Sequence, residues 1–258
     1  MKKFIIPMAA ISLLVLLVPG CFGFLTGSGN LETQEFDYSN FTRVEVGNAF
    51  EVKIVQSSSF SINITADDNI FDYINVSKSG ETLRIWLRSG YNYSNYTARA
   101  EVTMPELYGL ELSGATNGTI GGFSSSQDFL LKLSGASSLD IKNMTAGNIR
   151  FDLSGASSLI DNITASGDAR FEISGASSVV LSGSAEDLDA DVSGASHLGL
   201  DNFPVHNANV EFSGASSGTV NLDGTLNADL SGASHLYYIG EPNLGDVDIS
   251  GGSSIGKR

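Results

Sequence analysis

Apolar and charged positions alternate in a pattern that recurs at a fixed interval over the second half of the chain. A Ser-Gly pair ends each copy of the pattern, at Ser113, Ser134, Ser154, Ser174, Ser193, Ser213, Ser231 and Ser250. The steps between these serines are 21, 20, 20, 19, 20, 18 and 19 residues. Alternation with period two is typical of a β-strand with one buried face, and self-similarity at such an interval indicates a repeat architecture. The pattern predicts an all-β parallel β-helix (β-solenoid), right-handed by analogy, with about 20 residues per turn.

Each repeat has columns of like residues. The residue before the Ser is apolar, and so is the residue three before it, as at Leu133 and Leu131. Between them lies a column that we expect to face outward: Glu111, Lys132, Asp152, Glu172, Asp191, Glu211, Asp229 and Asp248. A Gly follows every Ser, which predicts a corner that needs a positive φ or a close backbone approach. Seven of the eight glycines are followed by Ala, which predicts that only a small side chain fits inside the corner.

A second short strand follows each corner, as in Leu139-Asp140-Ile141 and Val179-Val180-Leu181. Helical repeats are disfavoured because each unit is rich in Gly, Ser and β-branched residues, which are poor helix formers. Leucine-rich repeats share the period, but their Asn column and their spaced leucines are absent. These observations leave the β-solenoid as the predicted architecture of residues 109–258.

Residues 36–108 lack this period. We predict that they form an N-terminal β region that caps the solenoid, because an uncovered end would expose the core and unpaired backbone groups. Strand-like runs occupy residues 41–46, 50–56, 60–65, 82–88 and 97–104. Ser57-Ser58-Ser59 predicts a hairpin between the second and third runs, and residues 67–74 predict one or two helical turns. Trp86 is predicted to lie in the core, with sugar stacking as the alternative.

The N-terminus has the features of a lipoprotein signal. Lys2 and Lys3 precede an apolar run, and Leu17-Val18-Pro19-Gly20-Cys21 resembles the lipobox of prokaryotic lipoproteins. We therefore predict a signal peptide over residues 1–20, lipidation of Cys21 and a flexible tether over 21–35. A short transmembrane anchor is the alternative, although the run is short for a span of about 20 residues. Cys21 is the only cysteine, so an intrachain disulfide is excluded.

Charge excludes one class of partner. The formal net charge is −15 and the pI is about 4.4. Binding to nucleic acid needs a basic surface, so we expect no nucleic-acid partner.

The run from Phe41 to Ile54, the triplet Leu83-Arg84-Ile85 and the serial Ser-Gly-Ala-Ser turns carry a family resemblance. Together they resemble the auto-transporter adhesin head GIN domain family over roughly residues 36–257. The resemblance implies an exported or lipid-anchored β-helical domain of a prokaryote, and the name of the family implies adhesion. It supplies no catalytic residues.

Eight Asn-X-Ser/Thr sequons precede residue 165, at Asn40, Asn63, Asn75, Asn92, Asn95, Asn117, Asn143 and Asn162. They are candidate glycosylation sites of a surface protein. The alternative is that Asn, Ser and Thr are simply common in this chain.

The residues do not predict a metal or cofactor site. His197 and His235 share a position in the repeat with Ser217 between them. Two turns separate them by about 9.6 Å, too far for one zinc ion to bridge.

Enzymatic chemistry has one candidate. Parallel β-helices can host polysaccharide lyases and hydrolases, whose sites need grouped carboxylates or a base. Asp152 with Glu172, beside Arg150 and Arg170, is the nearest such group. The alternative is a salt-linked, solvated outer face.

We therefore predict a non-catalytic, lipid-anchored cell-surface protein whose rigid β-solenoid serves adhesion or envelope structure. The expected partners are the membrane, through the N-terminal lipid, and surface glycans or envelope components. The alternatives are an envelope polysaccharide-active enzyme and an envelope sensor or accessory module. The sequence leaves the ligand and the oligomeric state open.

Overall fold

A computed structural model describes residues 23–258. These residues are all-β, with 61% of them in strands, and stacked parallel coils form a β-solenoid of about 7 turns spaced roughly 20 residues apart. This confirms the predicted parallel β-solenoid and its period of about 20 residues. One short 3-10 helix, Phe71–Tyr73, lies within the segment predicted to form helical turns.

The strands, in chain order, are β1 (Gly23–Thr26), β2 (Leu31–Glu35), β3 (Arg43–Val46), β4 (Glu51–Gln56), β5 (Ser61–Asp67), β6 (Ile74–Ser79), β7 (Thr82–Leu87), β8 (Tyr91–Ser94), β9 (Ala98–Met104), β10 (Gly109–Leu112), β11 (Asn117–Gly121), β12 (Phe129–Leu133), β13 (Ser138–Ala146), β14 (Ile149–Leu153), β15 (Ser158–Ala165), β16 (Ala169–Ile173), β17 (Ser178–Ser184), β18 (Leu188–Val192), β19 (His197–Val205), β20 (Ala208–Phe212), β21 (Ser217–Leu222), β22 (Thr225–Leu230), β23 (His235–Ile239), β24 (Asn243–Ile249) and β25 (Ser254–Lys257).

Each turn places one strand in each of two facing sheets. One sheet has the order β24-β22-β20-β18-β16-β14-β12-β10-β3-β7-β6. The other has the order β2-β5-β9-β4-β11-β13-β15-β17-β19-β21-β23-β25. Apolar side chains alternate inward along the strands of the inner turns and stack from turn to turn, whereas β24 in the last turn has no buried residue. Phe151 and Phe171, for example, are fully buried with ring centroids 5.2 Å apart and nearly parallel planes.

The parallel pairing keeps equivalent positions of successive repeats side by side. Asp152 pairs with Glu172, and the same register continues through Asp191, Glu211, Asp229 and Asp248. The charged column is therefore one row across the outer face, as the period predicted.

The corner prediction is confirmed for glycine and wrong for alanine. Gly175 has a φ of +78°, and a Cβ there would lie 2.3 Å from the carbonyl oxygen of Gly155 in the preceding turn. Ala176, however, is exposed, while its N–H donates to the same oxygen at 2.7 Å. The small residue inside the corner is Ser177, whose Oγ donates to the carbonyl of Ser174 at 2.9 Å. The stacked serines thus satisfy corner backbone, as expected of Ser at turns.

A second corner is held by Asn and Asp side chains that the sequence analysis did not single out. The carboxylate of Asp128 accepts from the backbone N–H of Asn148 at 2.9 Å, and Asn148 Oδ1 accepts from the N–H of Asp168 at 2.9 Å. The same contact recurs from Asp187 to Asn207, also at 2.9 Å. These side chains supply acceptors to backbone donors of the next turn, which need partners wherever the ladder bends.

The cap contains a topology that local patterns did not predict. Strand β7 pairs in parallel with β3, and β9 pairs in parallel with β4. The coil of β3 and β4 comes first in the sequence, but the coil of β7 and β9 lies outside it, nearer the end of the solenoid. Strands β2, β5 and β6 then close the end in antiparallel register. The predicted hairpin at Ser57-Ser58-Ser59 is wrong, because β9 lies between β4 and β5.

The structure also differs from the predicted tether over residues 21–35. Strand β1 pairs with β8, and β2 pairs with β5. Asp67, which is 2% exposed, accepts hydrogen bonds from the N–H groups of Gly29 and Thr97, each at 2.6 Å. Gly27 allows a close backbone approach, since a Cβ there would lie 2.5 Å from the carbonyl oxygen of Asn95. Ser28 Oγ donates to Asp68 Oδ1 at 2.6 Å.

Candidate functional site

A row of four charged side chains crosses the outer face of the first coils. The register places Arg84 beside Glu45, Glu45 beside Glu111, and Glu111 beside Lys132. Arg84 binds Glu45 through two nitrogens, with N···O distances of 2.7 and 3.2 Å. Such a bidentate pair fixes both side chains in one geometry.

Hollows open on both sides of this row, and both are lined by Glu45 and Glu111. The first has a volume of about 230 Å³ and is bounded by Arg43, Thr82 and Lys132. The second has a volume of about 320 Å³ and is bounded by Asn48, Trp86 and Ser113. We call the two hollows with the row between them the outer groove.

Two glycines line the outer groove. Val46 pairs with Leu112, and the residues that follow them are Gly47 and Ser113. Gly47 therefore occupies the column that holds serine in later turns. Gly109 pairs with Leu130, in the outward column that continues into Arg150 and Arg170. Arg43 lies over Gly109, since a Cβ there would be 3.2 Å from the Arg43 Cγ.

Trp86 lies on the outer groove and not in the core, so the core prediction is wrong. It points outward from β7 between the buried Ile85 and Leu87, and it is half-buried. The period-two alternation of Leu83, Ile85 and Leu87 was the signal that could have placed it, because a residue between buried neighbours in a strand faces outward.

The candidate enzymatic carboxylates lie elsewhere on the same sheet. Glu172 forms ion pairs with Arg150 at 2.7 Å and with Arg170 at 3.4 Å, and Arg170 also reaches Asp189 at 3.1 Å. Asp152 is next to Glu172 in the row. The geometry is that of a salt-linked outer face, the alternative left open from the sequence.

The histidines are held by hydroxyls and a carboxylate. His197 Nδ1 lies 3.1 Å from Ser217 Oγ, and His235 Nδ1 lies 2.8 Å from Ser254 Oγ. His206 contacts Asp223 at 2.9 Å, and this hydrogen bond raises the pKa of the imidazole. No group of three or more His, Cys, Asp or Glu within residues 23–258 is arranged to hold a metal ion.

Cys21 lies outside the described residues. In the part of the chain that is described, no helix is long and apolar enough to cross a bilayer.

The sequons divide by exposure. Asn40, Asn92, Asn95, Asn117 and Asn143 are exposed, whereas Asn63, Asn75 and Asn162 are half-buried in strands.

Two of the half-buried amides are engaged in hydrogen bonds. Asn63 Nδ2 donates to Ser61 Oγ at 3.0 Å, and Asn162 Nδ2 donates to Ser182 Oγ at 3.3 Å. Glycosylation of all eight asparagines remains a prediction.

Solved structures share the fold. A "putative adhesin" from Parabacteroides distasonis ATCC 8503 has a TM-score of 0.82 at 16% identity, covering 91% of this chain and 100% of that chain. A "putative adhesin" from Parabacteroides merdae ATCC 43184 has a TM-score of 0.82 at 17% identity, covering 92% and 99%. A "putative lipid binding protein" from P. distasonis ATCC 8503 has a TM-score of 0.74 at 19% identity, covering 91% and 99%.

No curated protein matches the chain. A family model does, over residues 40–170 and 161–242, which is well over half of the sequence. The protein therefore belongs to the family described as "putative auto-transporter adhesin, head GIN domain".

Proposed function

We propose that this protein is a lipid-anchored adhesin that displays a rigid β-solenoid at the cell surface, without catalytic activity. Membership of an adhesin-like family implies an exported cell-surface protein. The observation that supports display is the in-register stacking of both sheets, which holds outward side chains in fixed rows. Fixed rows preorganise a binding surface, because little side-chain and loop freedom is lost on contact.

The position of Cys21 supports the anchored part of the proposal. Only Phe22 separates Cys21 from β1, and β1 is paired with β8 in the cap. A lipid on Cys21 would hold the cap beside the membrane and direct the solenoid away from it. About 7 turns at about 4.8 Å each give a projection of roughly 34 Å.

The absence of catalysis is part of the proposal. The pairing of Glu172 with two arginines supports a structural role for the one candidate carboxylate group. Screening the purified protein against acidic polysaccharides tests this. An activity that Asp152→Ala and Glu172→Ala abolish would overturn it.

The adhesion test compares intact cells that produce the wild-type chain with cells that produce Cys21→Ser. Both cell lines make the same solenoid, but only the first is expected to anchor it. The measurement is the fraction of cells retained under flow on surfaces coated with a panel of neutral and acidic polysaccharides. We expect retention of the wild type alone. Equal retention of both cell lines on every surface would overturn the proposed adhesion.

A further inference from the structure

The outer groove is a place where the repeat departs from its own pattern on its outer face. Serine is replaced by Gly47 in one column, and Gly109 stands in a column that later carries Arg150 and Arg170. The only tryptophan of the chain, Trp86, faces outward beside Gly47. None of the three is needed by the solenoid, since later turns form the same corner and strand without them.

The groups that line the outer groove suit a ligand rich in hydroxyls. Trp86 offers an apolar ring face with an N–H donor. Glu111 forms no ion pair within the described residues, so its carboxylate has acceptor capacity for ligand hydroxyls. Arg84, fixed by Glu45, and Lys132 add donors. A small number of converging polar groups beside an aromatic side chain is typical of sites that bind small ligands.

The length of the groove indicates more than one sugar unit. Along β3, from Arg43 to Val46, the strand advances by three residues, or about 10 Å at the rise of a β-strand. The groove continues from there to Asn48 at the corner.

Other occupants fit less well. The groove itself holds Glu45 and Glu111 against Arg43, Arg84 and Lys132, so its own charges nearly balance. The net charge of −15 on the whole chain disfavours the approach of an anionic ligand. Strand addition by a peptide needs an open edge, whereas β3, β7 and β10 each have a partner on both sides.

We propose that the outer groove binds an oligosaccharide that carries free hydroxyls and no net negative charge. This inference names the ligand class for the proposed adhesion and rests on that function for its biological meaning. The binding itself is tested without cells, so the two can fail separately.

Trp86 allows a direct test because its fluorescence reports from the groove alone. The purified chain of residues 22–258 is titrated with a panel of neutral and acidic oligosaccharides of defined structure. We expect a saturable change in tryptophan emission with at least one neutral oligosaccharide. No change with any neutral member at millimolar concentration would overturn the proposal, and so would a response confined to acidic members.

Matched variants locate the binding. Glu111→Gln removes an ionised acceptor and is expected to weaken binding about tenfold, the effect of one charge-assisted hydrogen bond. Glu211→Gln makes the same change in the same outward row, far from the groove, and should leave binding unchanged. Equal affinity of wild type and Glu111→Gln would overturn the proposal.

A second variant fills the groove with the residue that the repeat uses elsewhere. Gly47→Ser restores the serine column and places a Cβ 2.9 Å from Ser113 Oγ, a flexible atom that can shift. We expect it to melt like the wild type and to lose the fluorescence response. A fully retained response would contradict the site.

The two proposals can fail separately. If glycan binding fails while anchored cells still adhere, only the groove assignment is wrong. If glycan binding persists while the cells do not adhere, only the adhesion proposal is wrong.

Discussion

The corner glycine is the residue on which the close stacking of each turn depends. Gly175 has a φ of +78°, a backbone conformation that is energetically unfavourable for residues with a Cβ. In addition, the carbonyl oxygen of Gly155 occupies the space that a Cβ would need. The next residue, Ala176, donates its N–H to that carbonyl and points its methyl group to solvent. Backbone conformation, and not side-chain volume, therefore sets the requirement for glycine.

Gly175→Val should destabilise the solenoid. The substitution forces a β-branched residue into a left-handed conformation and against the Gly155 carbonyl, which we expect to lower the free energy of unfolding by about 1–3 kcal/mol. Thermal or urea melting measures the change. Ala176→Val is the matched control and should melt within error of the wild type, because its side chain is exposed. Equal melting of both variants would contradict the corner geometry.

Asp67 is the buried carboxylate that ties β1, β2 and β9 together. The pKa of the Asp67 carboxyl group is lowered. The largest cause is the hydrogen bond from the Thr97 N–H, and burial acts in the opposite direction. A carboxyl group with a lowered pKa in the folded state stabilises the fold above its unfolded pKa of about 3.9 and loses that contribution as the pH falls through the folded pKa.

Asp67→Asn should cost about 1–3 kcal/mol at neutral pH, since the amide nitrogen cannot accept one of the two backbone hydrogen bonds. The variant should also show a weaker loss of stability below pH 4 than the wild type. Urea melting at several pH values measures both effects, with the exposed Asp72→Asn as control. A wild-type acid profile in Asp67→Asn would contradict the assigned role.

At the scale of the element, the outward row of one sheet divides into two halves of different charge balance. Near β14 and β16, Arg150 and Arg170 pair with Glu172 and Asp189. Farther along, the carboxylates form no ion pair within the described residues: Asp191, Glu211, Asp229 and Asp248. At about 4.8 Å each neighbouring pair of like charges costs roughly 0.9 kcal/mol in water before screening.

Glu211→Gln should therefore raise the melting temperature at low salt, by relieving repulsion from two neighbours. Added NaCl should shrink the gain, since the Debye length falls from about 10 Å at 0.1 M to about 3 Å at 1 M. Glu172→Gln is the control in the same row and should not stabilise, because it breaks two ion pairs. Melting in NaCl and in CaCl₂ at matched ionic strength also shows whether calcium bridges the row, as oxygen ligands allow. A Glu211→Gln variant without any gain at low salt would contradict the repulsive row.

Elements built from local repetition could be predicted, and elements built from distant pairing could not. The inward columns, the glycine corners and the acidic row follow from the period that the successive repeats share in the sequence. The Asn and Asp ladder was also readable, since Asp128, Asn148 and Asp168 recur at 20-residue steps. The position of β9 between β4 and β5 depends on strand order in space, which no local pattern encodes.

The candidate site was harder to predict because it is defined by departures from the pattern. Gly47 and Gly109 are informative only once the register shows which columns they occupy. The general tendency of aromatic residues to pack in the core predicts a buried Trp86, although the alternation around it places it outside.

At the scale of the whole molecule, the two ends of the solenoid differ. Strands β2, β5 and β6 close the N-terminal end, and β1 begins two residues after Cys21 in the sequence. At the other end, β24 and β25 are the outermost strands. In the proposed arrangement the closed end faces the membrane. The outer groove, at the first coils, then lies near the cap rather than at the distal end.

In the proposed function, Cys21 anchors this solenoid at the cell surface. The most direct measurement is fractionation of cells that produce the wild type or Cys21→Ser, with mass spectrometry of the mature N-terminus and protease added to intact cells. We predict that the wild type begins at a lipidated Cys21, stays in the membrane fraction and is cleaved by external protease. Cys21→Ser should leave the membrane fraction or retain its signal peptide. A variant that is processed normally and remains equally membrane-bound would contradict the account.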